Sequence, residues 1–297
     1  MPVIETERLT KSYGSARGID DVTITVEAGE VFGFLGPNGA GKTTTIRTLL
    51  DLLHPTSGSA RIFGLDSRRE SVAIRARLGN LPGDFGYGKG ASGREALSLL
   101  ARLRGMNDVG RAEALAKRFR ANLDRPLGEL SRGNRQKVGL ILATFHEPEL
   151  LILDEPTSGL DPLMQEEFLT LVGEERERGC AIFISSHELD EVERVCGRVG
   201  IVRAGRLIAV ERIAELLGKA KRRVRLELVE PADLAELRML PGVSELKVEG
   251  RHASFLIGGD LDQAIKAIAR HHVTDVEIAH PTLEEVFLTY YEEGGAG

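Results

Sequence analysis

The sequence predicts an α/β fold with a parallel sheet at its centre, and three stretches predict it. Residues 36–45, Gly-Pro-Asn-Gly-Ala-Gly-Lys-Thr-Thr-Thr, lie between a short apolar run, Val31–Leu35, and a helix-forming run that begins at Thr44. Leu150–Leu153 is a continuous apolar run that ends on Asp154 and Glu155. Ala181–Ile184 is another, closing on Ser185, Ser186, His187 and Glu188. Strands buried on both faces read as unbroken apolar runs. In open α/β sheets, ligand-binding groups gather at the C-terminal ends of such strands.

Taken in chain order, residues 3–35 read as strands. Val22, Ile24 and Val26 alternate with threonines in the half-buried pattern, and Ala28-Gly29-Glu30 is a turn. Tyr13, in Lys11-Ser-Tyr13-Gly14, is either a stacking platform for a flat ring or an aromatic packed at a sheet edge. Gly36 to Thr43 then fits G-x-x-x-x-G-K-[ST], in the strand–loop–helix context that the motif needs. Gly36, Gly39 and Gly41 allow backbone conformations that a Cβ forbids. The loop Gly36-Pro37-Asn38-Gly39-Ala40-Gly41-Lys42-Thr43-Thr44 can thus turn its N–H groups on an anion, with the positive end of a helix dipole behind them. Lys42 would reach the outer phosphates of a nucleotide, and the Thr43 hydroxyl would hold Mg²⁺.

Beyond the first helix, His54–Gly58 is a turn and Ala60–Phe63 a strand, while 76–86 reads as a strand running into a loop. From about 91 to 145 the texture is helical. Ser92-Gly-Arg-Glu95 is a capping box. Behind it Ala96, Leu99, Leu100 and Leu103 repeat at helical spacing, as do Ala112, Leu115, Ala116 and Phe119. Ser131 is a good N-cap, and the helix N-terminus that it opens is a second potential phosphate site. At the end of the next strand Asp154 stands where Mg²⁺ is held, and Glu155 is the candidate base for an attacking water. Ser158-Gly-Leu-Asp161-Pro162 turns the chain into a helix with Pro162 at its first position. His187, beside two other ligand-bearing strand ends, is a candidate phosphate contact.

From about residue 220 the chain reads as a separate unit. Val224, Leu226 and Leu228 alternate with charges; a short helix holds Leu234 and Leu237. Two strands carry Leu246 and Val248, then Phe255 and Ile257; a helix carries Leu261, Ala264, Ile265 and Ile268; a strand carries Val276 and Ile278. That order, βαββαβ, predicts a small ferredoxin-like α+β domain. A last helix presents Leu283, Val286, Phe287 and Tyr290 at i, i+3, i+4 and i+7, a stripe that reads as packing on its own domain.

Composition sets the boundaries. The 297 residues are 42% hydrophobic and 28% charged with a net charge of −6, the profile of a soluble globular protein without a basic face for nucleic acid. No apolar run approaches the ~18 residues that cross a bilayer, and Met-Pro-Val-Ile-Glu-Thr-Glu-Arg has no secretory character. Cys180 and Cys196 are too few for a disulfide framework and lack metal-ligand spacing, so they read as reduced thiols.

Together these motifs resemble the nucleotide-binding subunit of ATP-binding cassette (ABC) transporters over about residues 3–215. Gly36–Thr43 is similar to the Walker A loop, Leu130–Asn134 to the family signature, Leu150–Glu155 to the Walker B strand, Ser158–Asp161 to the D-loop and His187 to the switch histidine. The resemblance implies a RecA-like P-loop NTPase core with an antiparallel β part and a helical subdomain. It places an ATPase domain at 1–218, with the helical subdomain at about 91–145, and an accessory domain at 219–297. It implies ATP and Mg²⁺ as cofactors, Tyr13 on the adenine, and Lys42, Glu155 and His187 as catalytic residues. A head-to-tail dimer, homodimeric or with a paired ABC subunit, would bring Ser131 and Gly133 to the partner's ATP, with Asp161 in the D-loop. A separate transmembrane permease would complete the transporter, with this chain on the cytoplasmic face of the membrane. The segment His-Pro-Thr-Leu-Glu-Glu-Val-Phe-Leu-Thr-Tyr-Tyr resembles the tail of drug-, antibiotic- and lipid-export subunits and points to export. A soluble non-transport ABC ATPase and a low-turnover regulatory module are the alternatives.

Two positions depart from the family pattern. Gly83 stands where a metal-ligating glutamine is usual, which leaves Asp84 or water to complete the metal shell. Arg132 and Asn134 replace the usual glycine and glutamine of the signature, with Arg132 either adding a charge-assisted phosphate contact or facing solvent.

Overall fold

The computed structural model describes residues 2–14, 16–85 and 90–287. The chain forms two compact units, Met1–Glu211 and Arg212–Gly297. The first contains Pro2–Tyr13 (β1), Ala16–Val22 (β2), Thr25–Glu27 (β3), Val31–Leu35 (β4), Lys42–Leu49 (α1), Ser57–Ile62 (β5), Leu65–Asp66 (β6), Ser71–Arg77 (α2) and Leu78–Leu81 (β7). It continues through Gly93–Leu103 (α3), Gly110–Arg118 (α4), Arg132–Thr144 (α5), Leu150–Asp154 (β8), Pro162–Glu177 (α6), Ala181–Ser186 (β9), Leu189–Val195 (α7), Arg198–Arg203 (β10) and Arg206–Arg212 (β11).

One eleven-stranded sheet runs β6-β5-β1-β2-β11-β10-β4-β9-β8-β7, with β3 on β1. The β10-β4-β9-β8-β7 half is parallel, and the β6-β5-β1-β2 half antiparallel. The parallel strands β4, β8 and β9 are buried at every position, as their apolar runs require. Phe183 joins them, its ring centroid 5.8 Å from that of Phe32 and 5.3 Å from that of Phe34. Two free thiols lie in this unit, both buried: Cys180 just before β9, and Cys196, whose sulfur lies against Gly33 of β4. Burial pushes the Cys180 thiol up to about 12 and also raises that of Cys196.

The helical stretch departs from its predicted apolar face at α3. The capping box forms as expected, with Ser92 accepting from the Glu95 N–H and the Glu95 carboxylate from the Ser92 N–H. It starts the helix at Gly93, which packs against Val138 and Leu123, so the buried face is Gly93, Ala96, Leu97 and Ala101. Leu99 and Leu103 consequently face solvent. In α4 the predicted residues Ala112, Leu115 and Ala116 are buried, and so is Phe119. Two arginines of α4 clamp α6. Arg111 bonds Glu147 and the buried Glu175, and Arg118 bonds Glu167 and Glu174. Residues 76–77, expected as strand, belong instead to α2, where Ile74 is the buried residue and the Arg77 guanidinium stacks 3.9 Å from the Phe63 ring centroid.

The second unit contains Ile213–Lys219 (α8), Arg222–Leu228 (β12), Ala235–Arg238 (α9), Val243–Glu249 (β13), His252–Ile257 (β14), Asp262–Ile268 (α10) and Val273–Ala279 (β15). Its sheet runs β13-β14-β12-β15 with antiparallel neighbours throughout. Leu234, Leu237, Ala264, Ala267 and Ile268 pack with Val224, Leu226, Leu228, Phe255 and Ile257 in a core of its own. Ile265 and Val276 lie outside that core and are exposed. Residues 283–287 are helical with Leu283 and Val286 buried, while Tyr290 falls outside the described residues. Among the described residues no helix is long and apolar enough to cross a membrane.

Candidate functional site

Sheet register assembles the site. Leu35 of β4 lies beside Ser186 of β9, and Asp154 of β8 lies beside Ser185. The glycine loop, the acidic pair and His187 therefore leave the sheet along one edge. Gly41 opens α1 with φ 109°, a left-handed conformation that favours glycine. Lys42, next in the chain, is buried and folds back over the loop. Its ammonium donates to the Gly36 carbonyl at 2.7 Å and stands 3.6 Å from Glu155 Oε1. Burial pushes its pKa down, and the carboxylates of Glu155 and Asp154 pull it back up.

Asp154 is fully buried and held on both oxygens. Its Oδ2 accepts from Thr43 Oγ1 at 2.8 Å, and its Oδ1 accepts from the Ser185 hydroxyl. Glu155 follows with a left-handed backbone, φ 49°, which takes the chain off the strand axis. Its Oε1 lies 3.2 Å from His187 Nδ1, so one carboxylate oxygen faces both Lys42 and His187. Lys42, Thr43, Asp154, Glu155 and His187, singled out from the sequence, thus form one cluster.

The donor set at its centre discriminates among metals. Thr43 and Asp154 offer two hard oxygen ligands side by side. No group of three or more His, Cys, Asp or Glu among the described residues could hold a metal. Such a sparse oxygen set fits Mg²⁺, which keeps waters and takes phosphate oxygens from its substrate, and does not fit a metal caged by protein alone. Gly83 borders the same place: a Cβ built there would lie 3.1 Å from Asp154 Oδ2. Asp84 is exposed, and with Gly83, Phe85, Arg132, Arg135 and Gln136 it lines a cavity of about 350 Å³.

Ser131, Gly133 and Asp161 make a second group. Ser131 caps α5, accepting from the Asn134 N–H at 3.3 Å, and Asp161 caps α6, accepting from Met164 N–H at 3.1 Å. Gly133 lies so close to the D-loop that a Cβ on it would meet the Gly159 carbonyl at 2.1 Å. Tyr13, at the end of β1, is 44% exposed and carries the Lys11 ammonium 5.4 Å from its ring centroid. Its ring edges on Gly18, whose carbonyl in turn faces Gly41, so the aromatic stands next to the glycine loop. Sequence reasoning missed Ser185 and Gln136. Ser185 could be found only from its register beside Asp154. Gln136 sits among Arg132, Asn134, Arg135 and Lys137 in the same polar helix start, so nothing local set it apart.

A glycine loop bearing Lys42 and Thr43, set against an acid-tipped parallel strand, defines the class of P-loop nucleoside triphosphatases. Within that class, residues 19–158 match the profile of the ABC transporter family. The chain is 40% identical over 209 residues to the bacitracin transport ATP-binding protein BcrA of Bacillus licheniformis, covering 69% of this chain and 68% of that protein. It is 32% identical over 302 residues to the daunorubicin/doxorubicin resistance ATP-binding protein DrrA of Streptomyces peucetius, covering 96% of this chain and 91% of that one. A solved ATP-binding subunit of an ABC transporter superposes with a TM-score of 0.68 at 30% identity, over 72% of this chain and 91% of its own. A dimeric bacterial ABC cassette, at 22% identity and a TM-score of 0.65 over 71% of this chain and 98% of its own, shares the fold. The chain belongs to the ATP-binding subunits of ABC transporters, a family of ATPases.

Proposed function

We propose that this chain is the ATP-hydrolysing subunit of an ABC exporter and drives a separate membrane-embedded permease. The observation that carries the reading is the cluster at the sheet edge, where Glu155 Oε1 faces both Lys42 and His187 beside the Thr43–Asp154 pair. Export is supported by the relatives named for bacitracin transport and for daunorubicin/doxorubicin resistance.

In this reading the loop 36–44 cradles the phosphates and Tyr13 stacks on the adenine. Lys42 turns from the Gly36 carbonyl to the outer phosphates. Thr43 and Asp154 would hold Mg²⁺, which when bound neutralises charge on the β- and γ-phosphates. Glu155 takes the proton of the attacking water, and His187 contacts the γ-phosphate. Ser131 and Gly133, with the dipole of α5 behind them, face the ATP of a second subunit in a head-to-tail dimer, and Asp161 lies at the same interface. The two-domain reading, an ATPase domain at 1–218 and an accessory domain at 219–297, is supported by the two compact units. The strand order β13-β14-β12-β15 supports a ferredoxin-like accessory domain. Placement at the cytoplasmic face of a membrane is supported by the transport proteins among the relatives.

Steady-state ATPase assays test the chemistry. Glu155→Gln should lower turnover by about 10²–10⁴, the usual share of general-base catalysis, while ATP binding persists. Turnover near that of the parent would remove Glu155 from its role. Affinity capture of the Glu155→Gln protein with ATP from detergent-solubilised membranes should bring down a stoichiometric polytopic membrane protein; recovery of this chain alone would favour a soluble ABC ATPase.

A further inference from the structure

We propose that Gln136 is a positioning residue for hydrolysis: its side-chain amide grips the peptide carbonyls of Glu155 and Pro156 and so sets the Glu155 carboxylate. The inference rests on the hydrolytic reading of the site given above.

Gln136 lies in α5, five positions after the Ser131 cap, and is 3% exposed. Its Nε2 donates to the Glu155 carbonyl at 2.9 Å and to the Pro156 carbonyl at 3.0 Å. An amide nitrogen has two N–H groups, so both are used. What they hold is unusual. Glu155 has φ 49°, a left-handed backbone that a residue with a Cβ adopts only when its surroundings enforce it. On the N-terminal side, the Glu155 N–H donates to the Ser185 carbonyl at 3.0 Å. On the C-terminal side, the Glu155 carbonyl receives Gln136 and, at 3.2 Å, the Ser158 N–H. The direction of the Cα–Cβ bond follows from that peptide geometry, and with it the place of a carboxylate oxygen that faces Lys42 and His187.

Two further contacts show that α5 and residues 155–161 are fastened along their length. Gly133 allows close approach to Gly159, and Lys137 Nζ stands 3.8 Å from Asp161 Oδ2. Gln136 is the fastening at the glutamate end. The helix whose N-terminus is offered to one ATP thereby carries the side chain that orients the base acting on another.

The test uses the full chain with Gln136→Met, which keeps the length of the side chain and removes both donors. Nucleotide binding is followed with a fluorescent ATP analogue, turnover by phosphate release, and folding by the melting transition. Expected is a fall in kcat of about 10- to 100-fold, the effect of displacing a reacting group by an ångström or less, with KM for ATP within about twofold. In a Glu155→Gln background the same change should lower residual turnover by less than about twofold, since the group it positions is gone. A kcat within about twofold of the parent would overturn the proposal. So would an equal loss in both backgrounds, the mark of a merely structural residue. Should Gln136→Met fail to fold, Gln136→Asn, which keeps the amide but withdraws it by one methylene, is read by the same criteria. A parent chain that binds ATP without any turnover would instead refute the hydrolytic reading itself.

Discussion

Glu191 of α7 shows how the site's surroundings respond to pH. Its Oε2 accepts from Thr157 Oγ1 at 2.7 Å, next to the acidic turn. Burial pushes its carboxyl up to about 7; the Thr157 hydroxyl pulls the other way, and the neighbouring Glu188 adds to the rise. The folded chain therefore favours the protonated acid more than the unfolded chain does. Its contribution to stability is full below the ordinary value of 4.5 and is lost as pH rises through about 7. Glu191→Gln keeps an acceptor for Thr157 and removes the titration. Its melting temperature should exceed the parent's at pH 8 and match it near pH 4.5; a difference independent of pH would assign the effect to packing instead.

At the scale of elements, the arginine clamps between α4 and α6 make the sharpest prediction. Glu175 is 1% exposed and serves Arg111 and Arg178 at once. Removing it leaves two part-exposed guanidinium groups without their shared, buried anion. Glu175→Ala should destabilise the first unit by about 3 kcal/mol in urea unfolding, whereas Glu167→Ala, at the more open clamp, should cost about 1 kcal/mol or less. None of this was legible in the sequence, because an ion pair between helices far apart in the chain leaves no local pattern. The same reason explains α3. Its capping box was legible, but which face would be buried depended on Gly93 meeting Val138 and Leu123. The glycine loop, the acid-tipped strand, the cap at Ser131 and the helix start at Pro162 were legible because each is dictated by local backbone chemistry. Ser185 and Gln136 were not, since their roles exist only once β9 and α5 have docked beside β8.

At the scale of the whole molecule, each unit owns a hydrophobic core. Ile4, Phe32, Phe34, Ile152 and Phe183 belong to the first, and Val224, Leu237 and Phe255 to the second. A core of its own in each unit predicts parts that fold separately. A chain ending at Glu211 should show its own cooperative melting transition and bind ATP. A non-cooperative or insoluble product would mean that the first core needs residues of the second unit.

The two buried thiols give this molecule a built-in reporter. Cys180 and Cys196 are the only cysteines in the sequence, and both are shielded and held far from the thiolate form that alkylating and disulfide reagents attack. The native protein should therefore stay unlabelled by a chromogenic disulfide until the β4–β9 region opens, and the rate of colour development would clock that opening. For the same reason, a cysteine placed at any exposed position could carry a dye or spin label without first removing the natural pair.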